Sequence, residues 1–105
     1  MSVPSLTPEQ RSLAVERAIA ARRERAAVKA RLKTAGTTIE QVIAAGAENE
    51  AIGKMRVSDL LESLPGIGPV RALQIMDELG IAQSRRVRGL GPGQTAALLR
   101  RFPAP

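Results

Sequence analysis

The sequence predicts an all-α protein in which one long helix leads into a compact set of short ones. Three observations carry that reading. No run of alternating apolar and polar residues occurs along the 105 residues, so no half-buried strand is expected. Apolar residues recur instead at helical spacing, in segments opened by capping residues and separated by Gly and Pro. The composition, 44% hydrophobic with Phe102 as the only aromatic, suits a helix-rich core of small side chains.

The first element opens at Thr7-Pro8-Glu9-Gln10. Thr7 is placed as N-cap, Pro8 at the first helical position, and Gln10 where it completes a capping box. Helix-compatible residues run from there to Ala35, with Gly36 expected as the glycine that ends the helix. Such a helix, about 42 Å long at 1.5 Å per residue, is too long to lie wholly on a small core. Arg11, Arg22, Arg25, Lys29 and Lys33 share one stripe, and Ala14, Ala21, Val28 and Leu32 another. Large apolar residues are missing from "AARRERAA", so that section is expected to project into solvent. The basic stripe reads equally as a solvated face or as a phosphate contact.

A second helix is expected in "TTIEQVIAAG", capped by Thr37 or Thr38, with Ile39, Val42 and Ile43 inward and Gly46 as its stop. "AENEAIGKM" reads as a short helical turn. Ser58 opens "SDLLESL". A turn Pro65-Gly66-Ile67-Gly68 follows, and "PVRALQIMDELG" is a helix with Pro69 first and Gly80 as its stop. "GPGQTAALLRRF" supplies the last helix. Shifted by 23 residues, Gly66-Ile67-Gly68-Pro69 overlays Gly89-Leu90-Gly91-Pro92, and the helices behind them align in their apolar positions. Paired turn–helix modules and chance similarity both fit that echo.

The turn at 64–69 has a helix–hairpin–helix form. Gly66 and Gly68 tolerate positive φ and carry no side chain to hold a ligand away. Ile67 points the turn into the core. Freed N–H groups, with the dipole of the next helix behind them, make a phosphate site that needs no base contact. A purely structural interhelical turn is the alternative. The second element is "SRRVRGLGPGQ", covering the turn at 85–93. Arg85, Arg86 and Arg88 precede a possible nest of N–H groups at Gly89 and Gly91, and guanidinium groups suit phosphates or a narrow minor groove.

Charge agrees with an anionic partner. The chain carries 16 Lys+Arg against 10 Asp+Glu, a net +6. Residues 1–35 hold eight basic and three acidic groups, residues 36–81 three and seven, and residues 82–105 five arginines and no acid. Two basic ends thus flank an acidic middle. With neither Cys nor His, thiol catalysis, disulfides and zinc fingers are excluded, and no metal or cofactor is expected. The absence of Tyr and Trp argues against an aromatic platform for single strands. No stretch reaches the length of a membrane span and no leader pattern opens the chain, so a cytoplasmic protein without membrane contact is expected. Base-excision glycosylases share the hairpin but carry a lysine two residues after its second glycine, where this chain has Val70. They also need an acid downstream, and none follows Glu78. A binding role, not an enzyme, is the expectation.

"IGKMRVSDLLESLPGIG", "IMDELGIAQSRRVRGLG" and "LTPEQRSLAVERAIAARRERAAVKARLK" together resemble the actinobacterial-type integration host factor family over nearly the whole chain. The resemblance implies a long basic N-terminal helix (1–36) and a helix–two-turns–helix core of the S13 type (37–105). It implies a nucleoid-associated architectural protein, and a monomer in solution is expected. Such a protein binds double-stranded DNA with little sequence preference, bends or compacts it, and assists phage integration through DNA shared with the integrase. On matching positions it implicates Arg85, Arg86 and Arg88, the hairpin Gly66, Ile67 and Gly68, and Lys54, Arg56 and Ser58 leading into it. Arg71, just past the hairpin, is counted with them. Pro69 departs from the family pattern, in which a lysine follows the second glycine, and the last helix is richer in Gly and Pro than that pattern. An RNA- or ribosome-binding S13-like protein is the competing reading, and a scaffold oligomerising through the long helix a third.

Overall fold

The computed structural model describes residues 5–104; Met1 to Pro4 of the expected N-terminal extension, and Pro105, lie outside the described residues. Six α-helices follow one another: α1 Pro8–Lys33, α2 Ile39–Glu48, α3 Glu50–Gly53, α4 Val57–Glu62, α5 Pro69–Glu78 and α6 Pro92–Arg101. A single 3-10 turn, Val87–Gly89, lies between α5 and α6. Among the described residues there is no strand, only an isolated antiparallel bridge between Arg56 and Arg86.

α1 begins as its sequence dictates. The Gln10 N–H donates to Thr7 Oγ1 at 3.1 Å, and the Thr7 N–H donates to Gln10 Oε1 at 2.9 Å, closing the capping box. Of its inward stripe only Val28 and Leu32 are buried; Ala21 is half-buried and Ala14 exposed. Leu13, Val15 and Ile19 are also exposed, so the N-terminal half of α1 stands off the core. Its end corrects the expectation. The helix stops at Lys33, and the left-handed residue is Ala35, at φ 59°, not Gly36. Gly36 donates to Arg31 O at 2.7 Å and Ala35 to Leu32 O at 3.3 Å, a Schellman closure with alanine where glycine is usual. The Cβ of Ala35 in that conformation costs about 1 kcal/mol.

Thr38, not Thr37, caps α2, exchanging hydrogen bonds with Gln41. Gly46 does not stop this helix, which continues to Glu48. It is a close-packing glycine instead: a Cβ there would come within 2.8 Å of Val87 Cγ1, and one on Gly53 within 2.6 Å of Gly46 O. Asn49 caps α3 by accepting the Ile52 N–H at 3.1 Å. α4 begins one residue before Ser58, at Val57, with Arg56 as a cap that lends no side-chain hydrogen bond. Its entry is fixed by backbone, since the Val57 N–H donates to Arg85 O at 3.1 Å.

α5 matches expectation closely. Pro69 is its first residue, Leu79 its C-cap, and Gly80 follows at φ 69°. α6 also starts at its proline, and Phe102 caps it without joining it. One apolar cluster joins these elements. Val28 and Leu32 of α1 meet Val42 of α2, Leu60 and Leu61 of α4, Met76 of α5 and Leu98 of α6 within it. Each fully buried aliphatic side chain contributes about 1.5–3 kcal/mol.

Candidate nucleic-acid interface

The hairpin is built where α4 gives out. Leu64 N–H donates to Leu61 O at 3.1 Å, and Ile67 N–H to Leu64 O at 3.2 Å, so the chain reverses tightly. Gly66 takes φ +78°, which a β-carbon disfavours. Gly68 does not share that conformation; at φ −91° and ψ −179° it is the extended N-cap of α5. Ile67 is half-buried and packs against the core, fastening the turn inward. The N–H groups of Gly66, Gly68, Val70 and Arg71 have no acceptor among the described residues. A Cβ on Gly66 or Gly68 would meet nothing within 4 Å, so the turn is open to a ligand on its outer side. The positive end of the α5 dipole lies behind these donors.

The arginine loop is held by backbone. Val87 N–H donates to Met55 O at 2.9 Å, and with the Val57 to Arg85 bond this clips residues 55–57 to residues 85–87. The Arg86 guanidinium donates to Lys54 O at 2.6 Å, and that of Arg85 to Gly89 O at 2.9 Å. Val87, between them, is buried against Gly46, while Arg85, Arg86 and Arg88 are exposed. The expected nest of free N–H groups is corrected. Gly89 N–H donates to Arg86 O at 2.9 Å, and Gly91 N–H to Gln94 Oε1 at 3.2 Å. Gly89 serves another end: a Cβ there would sit 3.3 Å from Arg85 Cδ, so glycine makes room for that side chain.

The predicted residues therefore fall into two groups. Lys54, Arg56, Arg85, Arg86 and Arg88 are brought together by the clip at the N-terminal end of α4. Gly66, Ile67 and Gly68 follow its other end, one six-residue helix away, about 9 Å at 1.5 Å per residue. Ser58 is half-buried in the first turn of α4. Arg71 joins neither group. Its guanidinium lies 3.7 Å from Glu78 and 3.5 Å from Gln74, directed down α5 and away from the turn. One residue outside the predicted set does join the first group. Arg25 of α1 lines the same cleft as Lys54, Arg56 and Arg86, with Asp59 as the only acid there. Its place in the basic stripe was the available signal, but nothing local set it apart from its neighbours on that stripe.

Lys54 is engaged at neutral pH, its Nζ 2.8 Å from Glu50 Oε1 on the preceding turn. That hydrogen bond, with the lysine charge and smaller contributions from Arg88 and Arg17, holds the exposed Glu50 carboxyl below its ordinary value. The pair is present above that lowered pKa and is lost as pH falls through it.

The fold and the sequence have close counterparts. A family model described as an S13-like H2TH domain matches residues 32–102. An integration host factor of Streptomyces coelicolor is 64% identical over 102 residues, covering 97% of this chain and 95% of the relative. Integration host factors of Mycolicibacterium smegmatis and Mycobacterium tuberculosis are each 54% identical over 97% of both chains. A solved structure described as sIHF bound to an 8 bp palindromic DNA superposes with a TM-score of 0.82 at 64% identity, covering 83% of this chain and 98% of that one. The chain belongs to the integration host factor family built on the S13-like H2TH domain.

Proposed function

We propose that this protein binds double-stranded DNA through backbone phosphates, with low sequence preference, and bends it. The observation that carries the reading is the pairing of two unlike anion-binding devices on one short helix. At one end of α4 an arginine loop is clipped to Lys54 and Arg56; at the other a glycine turn presents N–H groups with no partner among the described residues. Both devices suit phosphate oxygens, which carry no sequence information. The DNA-bound structure of a 64% identical relative supports the same partner.

In this mechanism Arg85, Arg86 and Arg88 hold phosphates on one side of α4, with Lys54 and Arg56 beside them. The Gly66–Gly68 turn accepts a phosphate on the other through main-chain donors, which need no side chain to be ordered. Gly89 seats Arg85, and Gly91 starts α6 beside the loop. Ser58 lies in the first turn of α4, on the arginine-loop side, and Arg71 contributes its main-chain N–H beside the hairpin. The duplex curves to satisfy both ends, and the contacts offset a bending cost of about 1–6 kcal/mol over 20–30 bp. By family resemblance the same activity compacts DNA in the nucleoid, with the protein monomeric and without enzymatic chemistry. Phage integration is helped through DNA shared with the integrase.

The test is a salt series on a mixed-sequence duplex. With about six phosphates neutralised, log K falls against log salt with a slope near −5. Replacing Arg85, Arg86 and Arg88 together by alanine weakens binding alike on all sequences and makes the slope shallower by about 2.7. A slope near zero in the unmodified protein defeats the phosphate reading. Tighter binding to structured RNA than to duplex DNA in a parallel titration favours the ribosomal alternative.

A further inference from the structure

α1 continues past the arginine loop, and two arginines flank the alanines that it turns toward α3. Arg17 and Arg25 line a cleft between α1 and α3 whose opposite wall is Glu50, Ala51 and Lys54. The residues of α1 between these two arginines that line the cleft are alanines, so nothing bulky closes it. Arg25 and Lys54 also line the neighbouring cleft that holds Arg56 and Arg86. The two clefts thus share a boundary, and Arg17, Arg25, Lys54, Arg56 and Arg86 follow one another without a break. Only two carboxylates, Glu50 and Asp59, line this track.

The arginines of α1 have donors to spare. Arg17 forms no ion pair among the described residues. Arg25 places one guanidinium nitrogen 3.5 Å from Ala51 O, a long contact that uses one of five donors. Glu50, already held by Lys54, also feels Arg17 and Arg88, so charges from α1 and from the loop meet at one carboxylate. A plain solvated face would scatter its arginines around the helix. Arg23 and Arg31 line neither cleft: Arg23 is turned roughly 160° from Arg25 and 120° from Arg17, and Arg31, roughly 120° from Arg25, lies about 21 Å along the helix from Arg17.

We propose that the DNA path extends beyond the H2TH domain onto α1, where Arg25 and Arg17 hold phosphates of the duplex that the arginine loop already grips. The proposal rests on the duplex-binding reading above. The two residues lie eight positions apart, about 12 Å along the helix, which matches three to four base-pair rises at about 3.4 Å. α1 is then an outrigger along the backbone, lengthening the footprint without reading sequence.

The experiment compares two charge-matched variants of the full chain on a mixed-sequence 30 bp duplex across a salt series. Arg17→Ala with Arg25→Ala is expected to make the slope shallower by about 2 and to weaken binding on the order of tenfold at 0.1 M salt. Arg23→Ala with Arg31→Ala, which removes the same charge from positions of α1 that line neither cleft, leaves the slope within about 0.5 of the unmodified protein. Arg17→Ala alone, at an exposed position without an ion pair among the described residues, keeps the test valid if the double variant unfolds; it makes the slope shallower by about 0.9. Equal slopes for the two double variants, or an unchanged slope for Arg17→Ala, overturn the proposal. Failure of the DNA-binding reading itself looks different: the unmodified protein then shows no salt-dependent binding at all.

Discussion

At the scale of single residues, glycines separate what sequence shows from what it hides. Gly66 and Gly80 were legible because a turn or helix end beside proline or a capping pattern demands their conformation, and both take positive φ. Gly46 was misread as a helix stop because its real constraint is distant in sequence: Gly53 and Val87 occupy the space its side chain would need. No local pattern records that. Gly46→Ala is therefore expected to destabilise the fold by about 1–3 kcal/mol through overpacking. Urea unfolding followed by circular dichroism measures it, and an unchanged midpoint contradicts the packing account. Because the displaced neighbour is Val87, the same variant is expected to loosen Arg86 and Arg88 and to weaken proposed DNA binding several-fold under conditions where it is still folded. Ala35 teaches the complementary lesson. A helix end with Gly36 one position later reads as a glycine cap, yet the closure falls on the alanine.

At the scale of elements, helix starts were readable where a threonine cap or a first-position proline marks them, and misplaced at α4, where distant backbone does the capping. Thr7 and Thr38 cap their helices with reciprocal hydrogen bonds to the third helical residue, a pattern written in four consecutive letters. α4 was placed one residue late because its first N–H is satisfied by Arg85, 28 positions further on. The two threonine caps nonetheless carry different weights. α2 buries Ile39 and Val42, whereas the first half of α1 buries nothing. Thr38→Ala is expected to lower global stability by about 1 kcal/mol. Thr7→Ala is expected to fray only the first turns of α1, leaving the global melt within about 0.3 kcal/mol of the unmodified protein. Amide hydrogen exchange distinguishes them: faster exchange confined to residues 9–14 for the second variant, and a uniform rise in the core for the first.

For the whole molecule, charge was the clearest signal and its convergence the least visible. The sequence shows basic ends around an acidic middle, but only the fold lays Arg25 of the first segment beside Arg86 of the last, across Lys54. That convergence sets how the proposed bending is tested. A 30 bp duplex labelled at both ends is expected to show increased energy transfer when the unmodified protein saturates it. With Arg85, Arg86 and Arg88 replaced by alanine, duplex still held at the hairpin is expected to stay nearly straight at saturation. Equal energy transfer in the two complexes removes the arginine loop from the bending mechanism.

The backbone clip between residues 55–57 and 85–87 has a mechanical consequence. It closes the intervening chain, hairpin included, into a loop whose two ends are hydrogen-bonded to each other at 2.9 and 3.1 Å. The glycine turn and the arginines are thus parts of one stiff body and not two jaws on a hinge. Such a body works on a duplex as a wedge of fixed angle. Raising the salt empties the complex without straightening the DNA that remains bound, so occupancy varies while the bend of each complex stays constant.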